Sequence, residues 1–364
     1  MTTESAGSAR AAGSPPGETN TPAGSVPAPA ALAPCGAAAD TPERLADFIR
    51  AHAPLLVLTG AGCSTDSGIP DYRDERGRWK GAEPIRYQRF VRDPAARRRY
   101  WARSFVGWPR VAVARPNTTH WALAALEVHG LITHLVTQNV DGLHQRAGAR
   151  RVMDLHGRLD VVDCLDCGRR LSRERMQALL VEHNPDFAPV GPAGSAPDGD
   201  VLLGDRDHAH FRVPGCPSCG GMLKPGVVFF GENVPRPRVA RAMQQLESSR
   251  GLLVVGSSLT VFSGYRFCRR AAELGLPLAL LNRGRTRADQ LAYLKLDAGC
   301  GPTLAGALKR LVGAPVERLG MATRALPGAA STPGPRSATI DPRPILERPS
   351  TSGADRDDAN PDQE

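Results

Sequence analysis

The sequence predicts an α/β fold: a parallel sheet with helices on both faces, plus a small inserted zinc-ribbon domain and a helical insertion. Three observations predict it. Short apolar runs at residues 55–58, 131–137, 252–255 and 276–281 alternate with helically periodic segments, which marks a parallel sheet covered on both sides. The first run ends in Gly60-Ala61-Gly62, a turn whose glycines let the backbone bend sharply so that N–H groups can face an anion. Cys164-Leu165-Asp166-Cys167 and Cys216-Pro217-Ser218-Cys219 form two glycine-turned knuckles, and four thiolates in that pattern fit a closed, structural zinc site.

Composition bounds the class. The chain has 364 residues, 41% of them apolar, with no run near the ~18 uninterrupted apolar residues of a membrane span. A membrane partner is therefore not expected. A net charge of +9 could serve nucleic acid, but the arginines are spread widely and the densest cluster is Arg97-Arg98-Arg99. An anionic cofactor explains a basic site more simply, and a nucleic-acid-binding zinc ribbon has only the net charge in its favour. Of eight cysteines, four sit in the knuckles, which suits a metal and a reducing compartment better than a disulfide framework. Abundant Arg, Ala, Gly and Pro beside few Lys point to GC-rich coding and a bacterial, cytoplasmic protein.

Residues 1–40 are rich in Ala, Gly, Ser, Thr and Pro and are expected to be disordered, without the basic start of a secretory leader. Thr41-Pro42-Glu43-Arg44 starts a helix, with a capping residue, proline in the first turn and Leu45, Phe48 and Ile49 at helical spacing. Beyond the glycine turn, Thr65 takes the third glycine position of a dinucleotide fingerprint, so a hydride-transfer dehydrogenase is disfavoured. Residues 74–116 read as a helical insertion broken at Pro109. Within it Tyr100 and Arg103 share one helical face, either as a surface arginine snorkelling beside an aromatic or as a pair that bonds a polar or carboxylated ligand.

The second strand ends in Gln138-Asn139-Val140-Asp141, where ligands collect in an open α/β sheet. His156-Gly157 follows; a lone histidine is by itself more often structural. The knuckles are 48 residues apart, so an insertion at residues 185–213, carrying Asp198, Asp200, Asp205 and Asp207, must loop out between them. Val227-Val228-Phe229-Phe230 belongs to a further strand-like run. Gly256-Ser257-Ser258 ends one late strand, a plausible phosphate or ribose contact, and Asn282 ends its neighbour. Residues from 314 onward lack periodicity and are expected to be disordered.

In that order, Gly60-Ala61-Gly62 through Asp71-Tyr72-Arg73, Gln138-Asn139-Val140-Asp141, His156-Gly157, the paired knuckles, and Gly256-Ser257-Ser258 followed by Asn282 resemble a sirtuin over residues 41–313. Pro70-Asp71-Tyr72-Arg73, Tyr100-Trp101-Ala102-Arg103 and the long gap between knuckles resemble the class II branch, and within it the mitochondrial fourth human sirtuin. The resemblance implies a Rossmann-like NAD-binding domain (41–157 and 225–313, with the insertion 74–116) and a small zinc-binding domain (158–224). It implies one structural Zn2+ on Cys164, Cys167, Cys216 and Cys219, and NAD as co-substrate.

By the same resemblance, phosphates and ribose meet Gly60, Ala61, Gly62, Thr65, Gly256, Ser257, Ser258, Asn282 and Cys300. Asp71, Tyr72 and Arg73 lie on the cofactor loop, and Gln138, Asn139 and Asp141 surround the nicotinamide ribose. Tyr72 stands where many members carry Phe. Val227, Val228, Phe229 and Phe230 would pair with an acylated-lysine peptide as an added strand, and Tyr100 and Arg103 would favour acyl groups longer or more polar than acetyl.

The implied activity is transfer of the acyl group of acyl-lysine to ADP-ribose with release of nicotinamide. Positioning of the weakly nucleophilic amide oxygen, with Asn139 and His156 as catalytic residues and His156 deprotonating a ribose hydroxyl, would carry the chemistry. Mono-ADP-ribosyl transfer to protein at the same NAD site is the alternative. The oligomeric state and protein substrates are not legible in the sequence.

Overall fold

A computed structural model describes residues 41–72, 78, 80, 84–187 and 208–313. Both tails, Arg73 and most of the inter-knuckle insertion, including Asp198, Asp200, Asp205 and Asp207, lie outside the described residues.

The chain enters as α1 (Thr41–His52), then β1 (Leu55–Thr59), and reaches β2 (Ile132–Thr137) only after α2 (Tyr87–Arg92), α3 (Pro94–Val113) and α4 (Thr118–Val128). After α5 (Leu143–Arg146) come β3 (Val152–Asp154) and the second sheet, β4 (Gly157–Cys164), β5 (Arg170–Ser172) and β6 (Leu223–Val227), with α6 (Arg173–His183) between β5 and β6. The first sheet resumes through α7 (Arg236–Glu247), β7 (Leu252–Val255), α8 (Phe262–Glu273), β8 (Leu278–Leu281), β9 (Leu294–Leu296) and α9 (Cys300–Val312). Its six strands lie in the order β3-β2-β1-β7-β8-β9, all parallel. The chain leaves β1 to one side for β2 and returns on the other as β7, which creates a switch point and a crevice at the strand ends.

Two-sided burial explains why the strands read as continuous apolar runs rather than alternating ones. Leu55 and Val57 face the helices that carry Leu45, Ile49, Leu123 and Leu304, while Leu56 and Leu58 face those that carry Leu246 and Phe267.

The helical insertion corrects one expectation. Pro109 does not end the helix; α3 continues through it to Val113. A proline removes the bond to the carbonyl four residues back, here Phe105, and the Gln177 side chain donates to that carbonyl at 3.1 Å instead. The second sheet has the order β5-β4-β6, both pairs antiparallel. Gly157 begins it with φ +81°, and a side chain there would collide with the Gly226 carbonyl. The residue after His156 therefore has to be glycine for the chain to pass from one sheet into the other.

Candidate active site

The carboxyl ends of β1, β2, β7 and β8 are in register, with Thr59 opposite Thr137 and Val255, and Val255 opposite Leu281. The next residues are Gly60, Gln138, Gly256 and Asn282, and all four line a cavity of about 1130 Å³. The same wall includes Ala61, Gly62, Thr65, Asp71, Tyr72, Asn139, Asp141 and His156. Val227, Val228, Phe229, Phe230, Ser257, Ser258 and Cys300 line it too.

The glycine turn works differently from the expectation of free N–H groups. Gly60 and Gly62 donate theirs to Val255 O and Gly256 O at 3.1 and 2.9 Å. A Cβ on Gly62 would lie 3.0 Å from Gly256 O, and one on Gly60 would lie 2.7 Å from Ser257 Cβ. Their glycine character permits close approach of the turn to β7 rather than donation. The sequence cannot separate those two uses, because both need the same residue.

Asn139 and Asp141 are tied to this turn. Asn139 Nδ2 donates to Gly60 O at 3.0 Å and Ser64 Oγ at 3.1 Å, and Ser64 Oγ donates to Asp141 Oδ2 at 2.7 Å. Burial pushes the Asp141 carboxyl above its ordinary range, opposed by bonds from Leu143 N and Ser64. Gln138 Nε2 donates to Ser257 Oγ at 2.9 Å, linking β2 to β7. Ser64 was overlooked in the sequence although it lies within the motif, since its partner is 77 positions away.

His156 is fixed through both ring nitrogens. Nδ1 donates to Gln138 O at 2.9 Å, so Nε2 carries the lone pair and accepts from Ser263 Oγ at 2.7 Å. Burial holds the imidazole down at about 4, well under its usual 6.5. It is a neutral base at pH 7. Ser263, on the first turn of α8, also escaped the sequence reading, because it lies outside every recognisable motif.

Val227 ends β6 opposite Gly157, and Val228 N donates to His156 O at 2.7 Å. Glu232 accepts from Phe229 N at 2.8 Å and pairs with buried Lys224 at 3.0 Å, which shapes residues 227–232. Tyr72 stands edge-on to Phe230 with centroids 5.9 Å apart, and Asp71 pairs with Lys80.

Tyr100 and Arg103 are not part of the cavity wall. Tyr100 is buried in a ring cluster, 5.4 Å from Phe90 and 5.2 Å from Phe229, and Phe229 is the member that reaches the cavity. Cys300 opens α9, with its Sγ against Leu281 O; Cys63 Sγ lies against Val255 O, on the neighbouring strand.

The four knuckle cysteines place their sulfurs within 4.8 Å of one another, with Cys164–Cys219 at 3.6 Å and Cys167–Cys216 at 3.8 Å. Tetrahedral Zn–S bonds require sulfurs ~3.8 Å apart. The donor set therefore fits Zn2+ with no position open for water, and the cluster joins β4 and β6 as a structural centre.

Comparison with known proteins agrees with this geometry. The model of the Sir2 family matches residues 60–263. The NAD-dependent protein deacetylase of Xanthomonas axonopodis pv. citri (strain 306) is 59% identical over 261 residues, covering 72% of this chain and 89% of the relative. NAD-dependent protein deacetylase 2 of Bradyrhizobium diazoefficiens is 52% identical over 263 residues, covering 72% and 96%. Among solved structures, a Sir2–p53 peptide–NAD+ complex superposes with a TM-score of 0.60 at 28% identity, covering 74% of this chain and 97% of that one. With its six-stranded parallel sheet, its four-cysteine centre and its cavity at the strand ends, the chain belongs to the Sir2 family, the sirtuins.

Proposed function

We propose that this chain is an NAD-dependent protein lysine deacylase, moving the acyl group of an acylated lysine to ADP-ribose and releasing nicotinamide. The observation that carries this reading is His156: a neutral imidazole held by Gln138 O in the wall of a dinucleotide-sized cavity, its Nε2 bonded to Ser263. When bound, NAD supplies the electrophilic ribose carbon and its leaving group. The chain supplies position and a proton acceptor. Gln138, Asn139 and Asp141 hold the ribose that reacts, and residues 227–230 hold the peptide. His156 takes the proton from a ribose hydroxyl once Ser263 yields Nε2.

Pro70-Asp71-Tyr72-Arg73, the Tyr100/Arg103 pair and the 48-residue gap between knuckles support placing the chain in the class II branch, near the mitochondrial fourth human sirtuin. Thiolate knuckles need reducing conditions, which supports a cytoplasmic setting. No helix among the described residues is long and apolar enough to cross a membrane.

The reading is tested by nicotinamide release from NAD in the presence of a peptide with acylated or free lysine. Release is expected with the acylated peptide and at background with the free one. Equal release with both contradicts deacylation and turns attention to ADP-ribosyl transfer.

A further inference from the structure

The cavity wall beside His156 is built by the start of α8. Ser263 reaches His156, and Arg266, one turn further on, also lines the cavity. Arg266 makes no hydrogen bond or ion pair with any described residue, and its Nε is buried without an acceptor. Its guanidinium lies 5.1 Å from the centroid of Phe262, four residues back on the helix. The ring thus packs against the guanidinium, and no described residue accepts a hydrogen bond from its terminal N–H groups.

The carboxylates of the wall have other partners. Asp71 pairs with Lys80, Glu232 with Lys224, and Asp141 accepts from Ser64 and Leu143 N. Asp66 stands near Cys300 and Gly301, at the start of α9. Burial also pulls the Arg266 guanidinium below its ordinary value, the signature of a charge taken from water without a counter-ion. A planar guanidinium on an aromatic ring matches a carboxylate, through two parallel hydrogen bonds.

We propose that Arg266, on its Phe262 platform, is a subsite for a carboxylate of the acyl-lysine substrate, carried either at the far end of the acyl chain or by an acidic side chain next to the lysine. The proposal rests on the deacylase reading above. It places substrate selection on α8, beside the base, rather than on the α3 pair Tyr100 and Arg103, of which Tyr100 stands behind Phe229 and neither lines the cavity.

Three labelled peptides test it with the full-length protein: a neutral acetyl-lysine peptide, the same peptide bearing glutaryl-lysine, and the acetyl peptide with Glu beside the lysine. Binding by fluorescence anisotropy and kcat/KM are measured for each. Wild type is expected to favour at least one carboxylate peptide over the neutral one by about tenfold, with the advantage shrinking as salt rises. Arg266→Met should bring that ratio close to one, and Arg266→Lys should restore part of it. The peptide whose advantage disappears identifies the source of the carboxylate. Equal binding of all three by wild type, an advantage that survives Arg266→Met, or a variant that loses NAD affinity instead of peptide selectivity overturns the proposal. Turnover of the neutral peptide tests the deacylase reading separately, and the binding ratios test the subsite even where no peptide is turned over.

Discussion

Replacing His156 by Ala is expected to slow acyl transfer at least ~100-fold while NAD still binds, the scale of a lost general base. Nothing in the expected dinucleotide cradle of Gly60, Gly62 and Ser257 depends on the imidazole, whose bonds go to Gln138 O and Ser263 Oγ. The effect should therefore appear in single-turnover rate and not in calorimetric NAD affinity; wild-type turnover in this variant contradicts the assignment. Ser263 offers a finer reading of the same base. Its hydroxyl donates to the lone pair of neutral Nε2, which favours the unprotonated form. In Ser263→Ala that support is gone, so the pKa of His156 rises from its depressed position and the acid limb of the pH–rate profile moves to higher pH. A profile that stays in place or moves to lower pH contradicts the role given to Ser263.

Acidification is expected to unfold the protein steeply below pH 6. His120 and His144 are fully buried, with ring centroids 4.7 Å apart. His144 Nε2 donates to Thr59 Oγ1 at 2.9 Å, and Thr59 in turn donates to Thr137 at 2.8 Å. The His144 Nδ1 and His120 Nε2 atoms are buried without partners. Burial lowers His144 to about 3 and His120 well below 6.5. Both are neutral in the fold, and both bind a proton in the unfolded chain below ~6.5. Their stabilising contribution is complete above that value and is lost as pH falls towards the folded pKa. With His156, held at about 4, three buried imidazoles take up protons only in the unfolded chain, which corresponds to about 4 kcal/mol per pH unit between roughly pH 6 and 5, against a typical total of about 5–15 kcal/mol.

Asp141 and Asp154, raised by burial, oppose this loss only nearer the carboxylate range. Urea titrations at pH 7, 6 and 5 measure the slope, and His144→Gln should remove about a third of it. Equal stability at pH 7 and 5 contradicts the account. The same network reaches the candidate active site, because Thr137 Oγ1 accepts from Asn139 N at 3.1 Å.

What was legible in the sequence followed from local rules. Two-sided burial made β1, β2, β7 and β8 visible as apolar runs, and the knuckles were visible because metal geometry fixes their spacing. Shorter elements were not. β3, β5 and β9 have three residues each, too few for any period to register, and they are strands only because a neighbour pairs with them. Pro109 was read by its local cost, whereas the carbonyl it frees is satisfied from α6. Within the site, motif residues were placed at the cavity by the register of four strands, but Ser263 and Arg266 acquire their roles from helix orientation. Tyr100 was read as the aromatic neighbour of a surface arginine or as ligand-facing, and its burial against Phe90 and Phe229 depends on how α2, α3 and the 227–232 segment pack together.

The most direct test of NAD-dependent deacylation is the identity and stoichiometry of products from an acetyl-lysine peptide and NAD, followed by mass spectrometry. The predicted result is one free lysine, one nicotinamide and one acetyl-ADP-ribose per turnover. Nicotinamide accompanied by ADP-ribose covalently attached to protein, with the peptide still acetylated, contradicts it.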